Sequence, residues 1–307
     1  MQSQTKLKGL NNTGNTCYLN SGTQMFLQNK DFCDKVHEMR SVHPEIAELN
    51  DFIKQYHSGG GGSITPKIVK EIIGNKFPAF RGNEQQDMQE MFNKLMDIIN
   101  KYTNNAFCPI FQFKERQTMK CKLRTCLSKS ITSVGNDFLT VPVVGSTLDD
   151  CYREYKVHER MDGDNKYACP KCLANITSSY SKEQLEDKQL MKSLEQEALR
   201  VGTRRIAITE WPKNLIVFLK RFETTRKNTT PIDIPVEWRH DYKLKGCVIH
   251  NGGLNGGHYF YISRIVKSNG SVHWYNCNDS NVSEINEDSA LMHINKNGYI
   301  IYYEKDV

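Results

Sequence analysis

Apolar positions change period along this chain, from the three- and four-residue spacing of helices to the alternation of strands. The turn-rich stretch Asn11-Asn12-Thr13-Gly14-Asn15-Thr16 is followed by a run from Cys17 to Lys30 with Leu19, Phe26 and Leu27 on or near one face. That spacing predicts a helix with Cys17 at or just before its N-terminus. A second helix is predicted over Glu84 to Asn100, where Met88, Met91, Phe92, Leu95 and Ile99 form an apolar stripe of core residues and Asn83 with Gln86 reads as a capping box. From about Phe111 the pattern changes. Leu215 to Phe222, Tyr259 to Ile265, Val272 to Asn276 and Gly298 to Glu304 are short runs rich in aromatic and β-branched residues, bounded by turn residues, and each predicts a strand. Between the two regions, Lys182 to Leu199 is charged and helix-periodic through Leu185, Leu190, Met191, Leu194 and Ala198. It reads as a surface helix or a mobile insertion, with its charge run on a solvated face. Helices first and sheet second make the expected class α+β.

Composition narrows the setting. With 307 residues the chain suits one large domain or two packed units. Its 38% apolar and 25% charged residues are those of an ordinary globular protein. The net charge of +6 is spread without a dense Lys/Arg run, so nucleic acid is not an expected partner. Met1 to Lys8 lacks the apolar core of a signal peptide, and no stretch approaches the length of a membrane span. A soluble protein of the cytoplasm, the nucleus or both is expected, with no membrane partner. Ten cysteines are too sparse for a disulfide scaffold, which turns attention to thiolate chemistry and metal binding. Ser58-Gly59-Gly60-Gly61-Gly62-Ser63 is a flexible linker by composition, similar to the spacers engineers use to replace loops.

Three segments carry candidate chemistry. A thiol at a helix N-terminus feels the positive end of the helix dipole, which favours the reactive thiolate, and the polar loop before Cys17 can aim amide groups at a developing oxyanion. A single cysteine in an apolar helix is nevertheless more often a small buried hydrophobe. The run Asn251-Gly252-Gly253-Leu254-Asn255-Gly256-Gly257-His258-Tyr259 frees the backbone for close approach to a substrate and places His258 at the entry to a strand. Twenty residues on, Asn278 within Trp274-Tyr275-Asn276-Cys277-Asn278-Asp279-Ser280 offers a carboxamide that can accept the imidazole N–H and fix its tautomer. Separately, Cys169-Pro170-Lys171-Cys172 has the knuckle spacing of a zinc ribbon, with Cys121 and Cys126 upstream, and four thiolates would make a closed structural site.

In conjunction these segments resemble the catalytic domain of the ubiquitin-specific proteases, a papain-like cysteine protease family. Gly9 to Ser21 is similar to the family's cysteine box and Glu84-Gln85-Gln86-Asp87-Met88-Gln89-Glu90 to its glutamine–aspartate box. Leu215 to Phe222 is similar to its Leu-x-Leu-x-Arg-Phe strand, Gly256 to Tyr261 to its histidine box, and Trp274 to Val282 with Tyr299 to Glu304 to its closing segments. The resemblance implies a single catalytic domain over 1–307: a helical thumb (1–110), then a β-sheet palm and zinc-bearing β fingers (111–307, the fingers at about 113–140 and 160–205) that grip ubiquitin.

By position it implies Cys17 as nucleophile, His258 as base and then acid, Asn278 as third member, Asn12 as oxyanion donor, and Asp279 as a polar residue that assists. Asp87, Gln86, Gly256, Gly257 and Tyr259 are the implied contacts to the ubiquitin tail. Zn²⁺ on Cys121, Cys126, Cys169 and Cys172 is structural in that reading, and catalysis needs no cofactor. The first cysteine pair departs from the family in having four intervening residues where two are usual. The expected activity is hydrolysis of the bond after ubiquitin's C-terminal glycine by a monomer. The other readings are an inactive ubiquitin-binding module and a protease for a ubiquitin-like modifier.

Overall fold

The computed structural model describes residues 7–254 and 256–306 of the chain, so Asn255 of the glycine-rich motif and the first six residues lie outside it. The described residues up to 112, with 137–152 and those from 212 onward, form one compact unit; residues 113–136 and 153–211 form a second. The fold is α+β.

In the first unit the helix predicted from Cys17 ends at Leu27, not Lys30, and Lys30–Glu38 starts a separate helix. Asn29 causes the break: its backbone is extended, and its side-chain oxygen caps the next helix through the Phe32 N–H at 2.7 Å. The second predicted helix runs Met88–Tyr102, and its cap is Asp87 rather than Asn83. Asp87 accepts from the N–H groups of Gln89 and Glu90, while the Gln86 amide donates to the Ala79 carbonyl and takes no part in a capping box. The residues from Glu84 to Asp87 are thereby left outside the helix, where they can line a cleft.

The large sheet runs in the order Asn281–Ile285, Val272–Asn278, Gly256–Val266, Tyr242–Gly253, Gly298–Lys305, Asn214–Lys220, Leu139–Pro142, with Glu237–Trp238 on the side of Tyr242–Gly253. All neighbours are antiparallel except the last pair, Asn214–Lys220 with Leu139–Pro142. One face takes the helix Cys17–Leu27, which packs on the strand Gly256–Val266. An aromatic cluster welds helices to sheet: Phe92 stacks on Phe26 at 5.0 Å and meets Phe138 and Phe218 edge-on at 5.3 and 6.0 Å. The glycine-rich stretch ends in order, because Ser63–Ile64 pairs in parallel with Gly9–Leu10. No helix of the described residues is long and apolar enough to cross a membrane.

The second unit is built on a four-stranded antiparallel sheet ordered Lys129–Asn136, Phe113–Cys121, Gly202–Glu210, Glu159–Met161. The charged segment from Lys182 forms two capped helices, Lys182–Leu185 and Lys188–Glu197, and Leu194 and Ala198 are buried.

Phe92 is fully buried. Its replacement by alanine is expected to cost about 3–5 kcal/mol of stability in urea denaturation, and a loss below about 1 kcal/mol would show that the cluster does not hold the helices to the sheet.

Candidate active site

Every residue of the helix Cys17–Leu27 is buried; the amide nitrogens of Asn20 and Gln24 find partners inside the protein, while Asn20 Oδ1 and Thr23 Oγ1 have none among the described residues. The Asn20 amide donates to the Leu10 carbonyl at 3.1 Å and to Asp279 at 2.7 Å, and Gln24 donates to the Lys8 carbonyl while accepting from the Tyr56 hydroxyl. These bonds fix the helix about its own axis and so aim Cys17, its first residue. Burial raises the Cys17 thiol above its ordinary value of 9.0; the Tyr259 backbone, hydrogen-bonded to the sulfur, opposes this and the Asp279 carboxylate reinforces it. The resting group is a neutral thiol, and a base is needed to activate it.

The loop before Cys17 is organised by Asn12. Its side-chain oxygen accepts from the N–H groups of Gly14 and Thr16, both at 3.1 Å, and its amide donates to Asp279 at 2.9 Å. One amide hydrogen of Asn12 is thus committed to Asp279 and the other is not. Asp279 follows the strand Val272–Asn278 in the left-handed region, at φ 50°, and its carbonyl accepts from the Leu10 N–H. It clasps Asn12, Asn20 and the first strand together.

His258 lies in the strand Gly256–Val266, beside Val272–Asn278. Its Nε2–H donates to the Asn278 side-chain oxygen at 2.6 Å, since an amide oxygen can only accept. Nδ1 is left with a lone pair. Tyr259, whose backbone hydrogen bond lowers the Cys17 thiol against the effect of burial, is the next residue along, so the thiol lies near the strand that carries His258.

Beside them opens a cleft of about 430 Å³ lined by Gln85, Gln86, Asp87, Gly256, Gly257, Tyr259 and Tyr299, among others. Gly257 is a close-approach position: a β-carbon there would fall 2.4 Å from the Asn251 carbonyl and 2.5 Å from His250 Nε2. Its N–H donates to the Gln85 side chain at 3.2 Å. Asp87 adds to its capping role by accepting from the hydroxyls of Tyr259 and Tyr299 at 3.1 and 3.0 Å. Burial first, and then Asp87, raises both phenols, which stay protonated donors. Asp87 therefore joins the long helix to two strands at the cleft wall. Gln85, Tyr299, Asn20 and His250 were not among the expected site residues. Gln85 is adjacent to residues that were, and Asn20 lies one helical turn from Cys17; Tyr299 and His250 become neighbours through strand register.

In the second unit Cys121, Cys126, Cys169 and Cys172 converge, all buried, with every sulfur within 4.8 Å of the others. Cys126 and Cys169 are 3.7 Å apart, against about 3.8 Å between thiolates bound tetrahedrally at about 2.3 Å. The wider first pair reaches the cluster through a tight turn in which the N–H groups of Cys126 and Leu127 both bond to the Leu123 carbonyl, with Leu127 at φ 47°. The four buried thiols fit a metal ion of the zinc type.

A family model described as ubiquitin carboxyl-terminal hydrolase matches residues 8–303, and the chain belongs to that family. It is 23% identical to ubiquitin carboxyl-terminal hydrolase Usp2 of Drosophila melanogaster over 97% of this chain and 35% of that protein. It is 24% identical to ubiquitin carboxyl-terminal hydrolase 2 of Homo sapiens over 97% of this chain and 55% of that protein. The chain thus spans about a third to a little over half of these curated relatives. Among solved structures, the Ubp8/Sgf11/Sus1/Sgf73 DUB module of SAGA bound to monoubiquitin is similar with a TM-score of 0.75 at 20% identity, covering 100% of this chain and 71% of that one. The same module bound to ubiquitin aldehyde gives 0.73 at 20% identity, with the same coverage. These likenesses establish the fold.

Because burial raises the Cys17 thiol, the rate of its alkylation by iodoacetamide in the free protein should keep rising with pH through the range in which ordinary thiols level off. Peptide mapping of the alkylated cysteine checks this, and a plateau reached at neutral pH would contradict a neutral resting thiol.

Proposed function

We propose that this chain is a deubiquitinating cysteine protease that hydrolyses the isopeptide or peptide bond after the C-terminal glycine of ubiquitin. The observation that carries the reading is the 2.6 Å bond from His258 Nε2 to Asn278, which leaves Nδ1 as a base beside the strand entry that holds the Cys17 sulfur. The two relatives are named ubiquitin carboxyl-terminal hydrolases and the two solved neighbours are bound to ubiquitin species, which supports the choice of ubiquitin as substrate.

The tail of ubiquitin enters the cleft, where Gly256 and Gly257 leave room for a glycine backbone and Tyr259 and Tyr299, braced by Asp87, wall out side chains. As the Cys17 sulfur bonds to the glycine carbonyl carbon, its proton passes to His258 Nδ1. The uncommitted amide hydrogen of Asn12 meets the developing oxyanion, and Asp279 keeps that amide in place. Collapse breaks the carbon–nitrogen bond while imidazolium protonates the departing lysine amine, leaving a thioester. His258 then takes a proton from water, which attacks the thioester and releases ubiquitin's carboxylate and the thiol. Asn278 orients the ring throughout, by hydrogen bonding and without a charge.

In the same reading the second unit is the finger element, its four cysteines hold Zn²⁺, and the ion supplies cross-linking and no chemistry at the thiol.

Ubiquitin with an electrophilic C-terminus should form a one-to-one adduct that maps to Cys17, while ubiquitin-like modifiers in excess fail to compete; adduct on another cysteine, or full competition, would sink the assignment. Cys17→Ala should abolish turnover but keep ubiquitin binding, and Asn12→Ala should lower kcat by about a hundredfold to a thousandfold. Metal analysis of the purified protein is expected to find about one equivalent of zinc, with less than about a tenth of an equivalent ruling the site empty.

A further inference from the structure

The strand Tyr242–Gly253 loses one neighbour before the other. Its pairing with Gly298–Lys305 ends at Ile249 opposite Gly298, whereas its pairing with the histidine strand continues to Gly253 opposite Gly256. Beyond Ile249 one edge of this hairpin has no strand beside it among the described residues, and the backbone carbonyls there need another donor.

Lys227 supplies it. Its ammonium donates to the His250 carbonyl at 2.6 Å, to the Gly252 carbonyl at 3.1 Å and to His250 Nδ1 at 2.8 Å. A tight turn presents the lysine: the Asn228 N–H bonds to the Arg221 carbonyl and the Glu223 N–H to the Arg226 carbonyl, with Phe222 and Lys227 bridged antiparallel. Phe222 packs edge-on against the His250 ring at 5.1 Å, closing the arrangement from the side.

Two consequences reach the cleft. An ammonium can only donate, so His250 Nδ1 is an acceptor and the imidazole proton sits on Nε2, the atom that lies against Gly257. His250 is nearly fully buried; burial first, then Lys227 and His258, hold it down to about 4, so the ring is neutral at physiological pH. The second consequence follows from register. The two carbonyls held by Lys227 flank Asn251, which is the cross-strand partner of His258.

We propose that Lys227 is a positioning residue for the reaction: by gripping the hairpin on either side of Asn251 and fixing the His250 tautomer, it sets the glycine floor of the tail channel and the place of His258. The inference rests on the deubiquitinase reading above, and it assigns Lys227 no contact with the reacting atoms. Any movement of the hairpin edge shifts Gly257 and His258 together, because Gly252 and Asn251 are paired to them.

The test compares wild type with Lys227→Met, which keeps the stem and removes the donor, and Lys227→Arg, which keeps a donor. Two readouts are taken: kcat and KM on ubiquitin bearing a fluorogenic C-terminal amide, and imidazole 15N shifts of the histidine-labelled protein. For Lys227→Met, kcat/KM should fall about tenfold to a hundredfold, the loss expected for a charged hydrogen-bond donor, with both kcat and KM affected. The His250 resonances should lose their single-tautomer pattern, and Lys227→Arg should recover most of both. Turnover by Lys227→Met within about twofold of wild type, or an unchanged His250 pattern, overturns the proposal. So does a loss of turnover in Lys227→Met and Lys227→Arg alike that follows only their unfolding. A wild-type protein that leaves the ubiquitin amide intact defeats the deubiquitinase reading instead, and the His250 pattern still decides the tautomer.

Discussion

The site depends on one buried helix. Cys17–Leu27 has no exposed face, yet it carries Asn20, Ser21, Thr23 and Gln24 into the interior. A buried amide without a partner would cost about 1–3 kcal/mol, so each bond from Asn20 and Gln24 to the neighbouring backbone selects one rotation of the helix over the alternatives. That rotation, together with the aromatic packing around Phe26 and Phe92, delivers the first residue of the helix to the strand that bears His258. The reactive group is therefore placed by the core, and the loop before it only has to shape what approaches.

Electrostatics around the thiol pull in opposite directions. Burial and the Asp279 carboxylate both favour the neutral sulfur, and the Tyr259 backbone favours the charged one. The same Asp279 holds Asn12 and Asn20. A residue that organises the loop before Cys17 thus works against thiolate formation at rest, which fits the proposed reaction, in which the proton moves to His258 only when a substrate arrives.

Much of this was legible in the sequence, and the limits are physical. The stripe Met88 to Ile99 and the β-rich runs near the C-terminus declare their periods locally, so helix and strands were read within a few residues. Boundaries failed where a polar side chain chose between two roles: Asn29 ends one helix and starts another, and Asp87 displaced Asn83 as a cap because two tyrosines fix it from across the fold. The Cys17, His258 and Asn278 positions stood out by motif, and Tyr299 lay within one of the closing segments, but its place in the cleft comes from strand pairing, and Lys227 reaches the hairpin beside the cleft through a turn that nothing in its own sequence neighbourhood announces. The four-residue spacing of Cys121 and Cys126 looked irregular on paper and is absorbed by a turn through Leu127.

The division into two units also divides the charge. The first unit holds 24 Lys and Arg against 24 Asp and Glu, while residues 113–136 and 153–211 hold 17 against 11, so the whole excess of +6 belongs to the second. There Arg116, Lys120, Lys129 and Arg205 share one groove of the four-stranded sheet, without an ion pair to any carboxylate among the described residues. Such a surface draws anionic partners over roughly a Debye length, about 8 Å at physiological ionic strength. Salt will therefore slow the encounter of an acidic partner with the second unit while leaving the bond-making step proposed for the neutral first unit nearly untouched, so under that proposal ionic strength tells capture from chemistry.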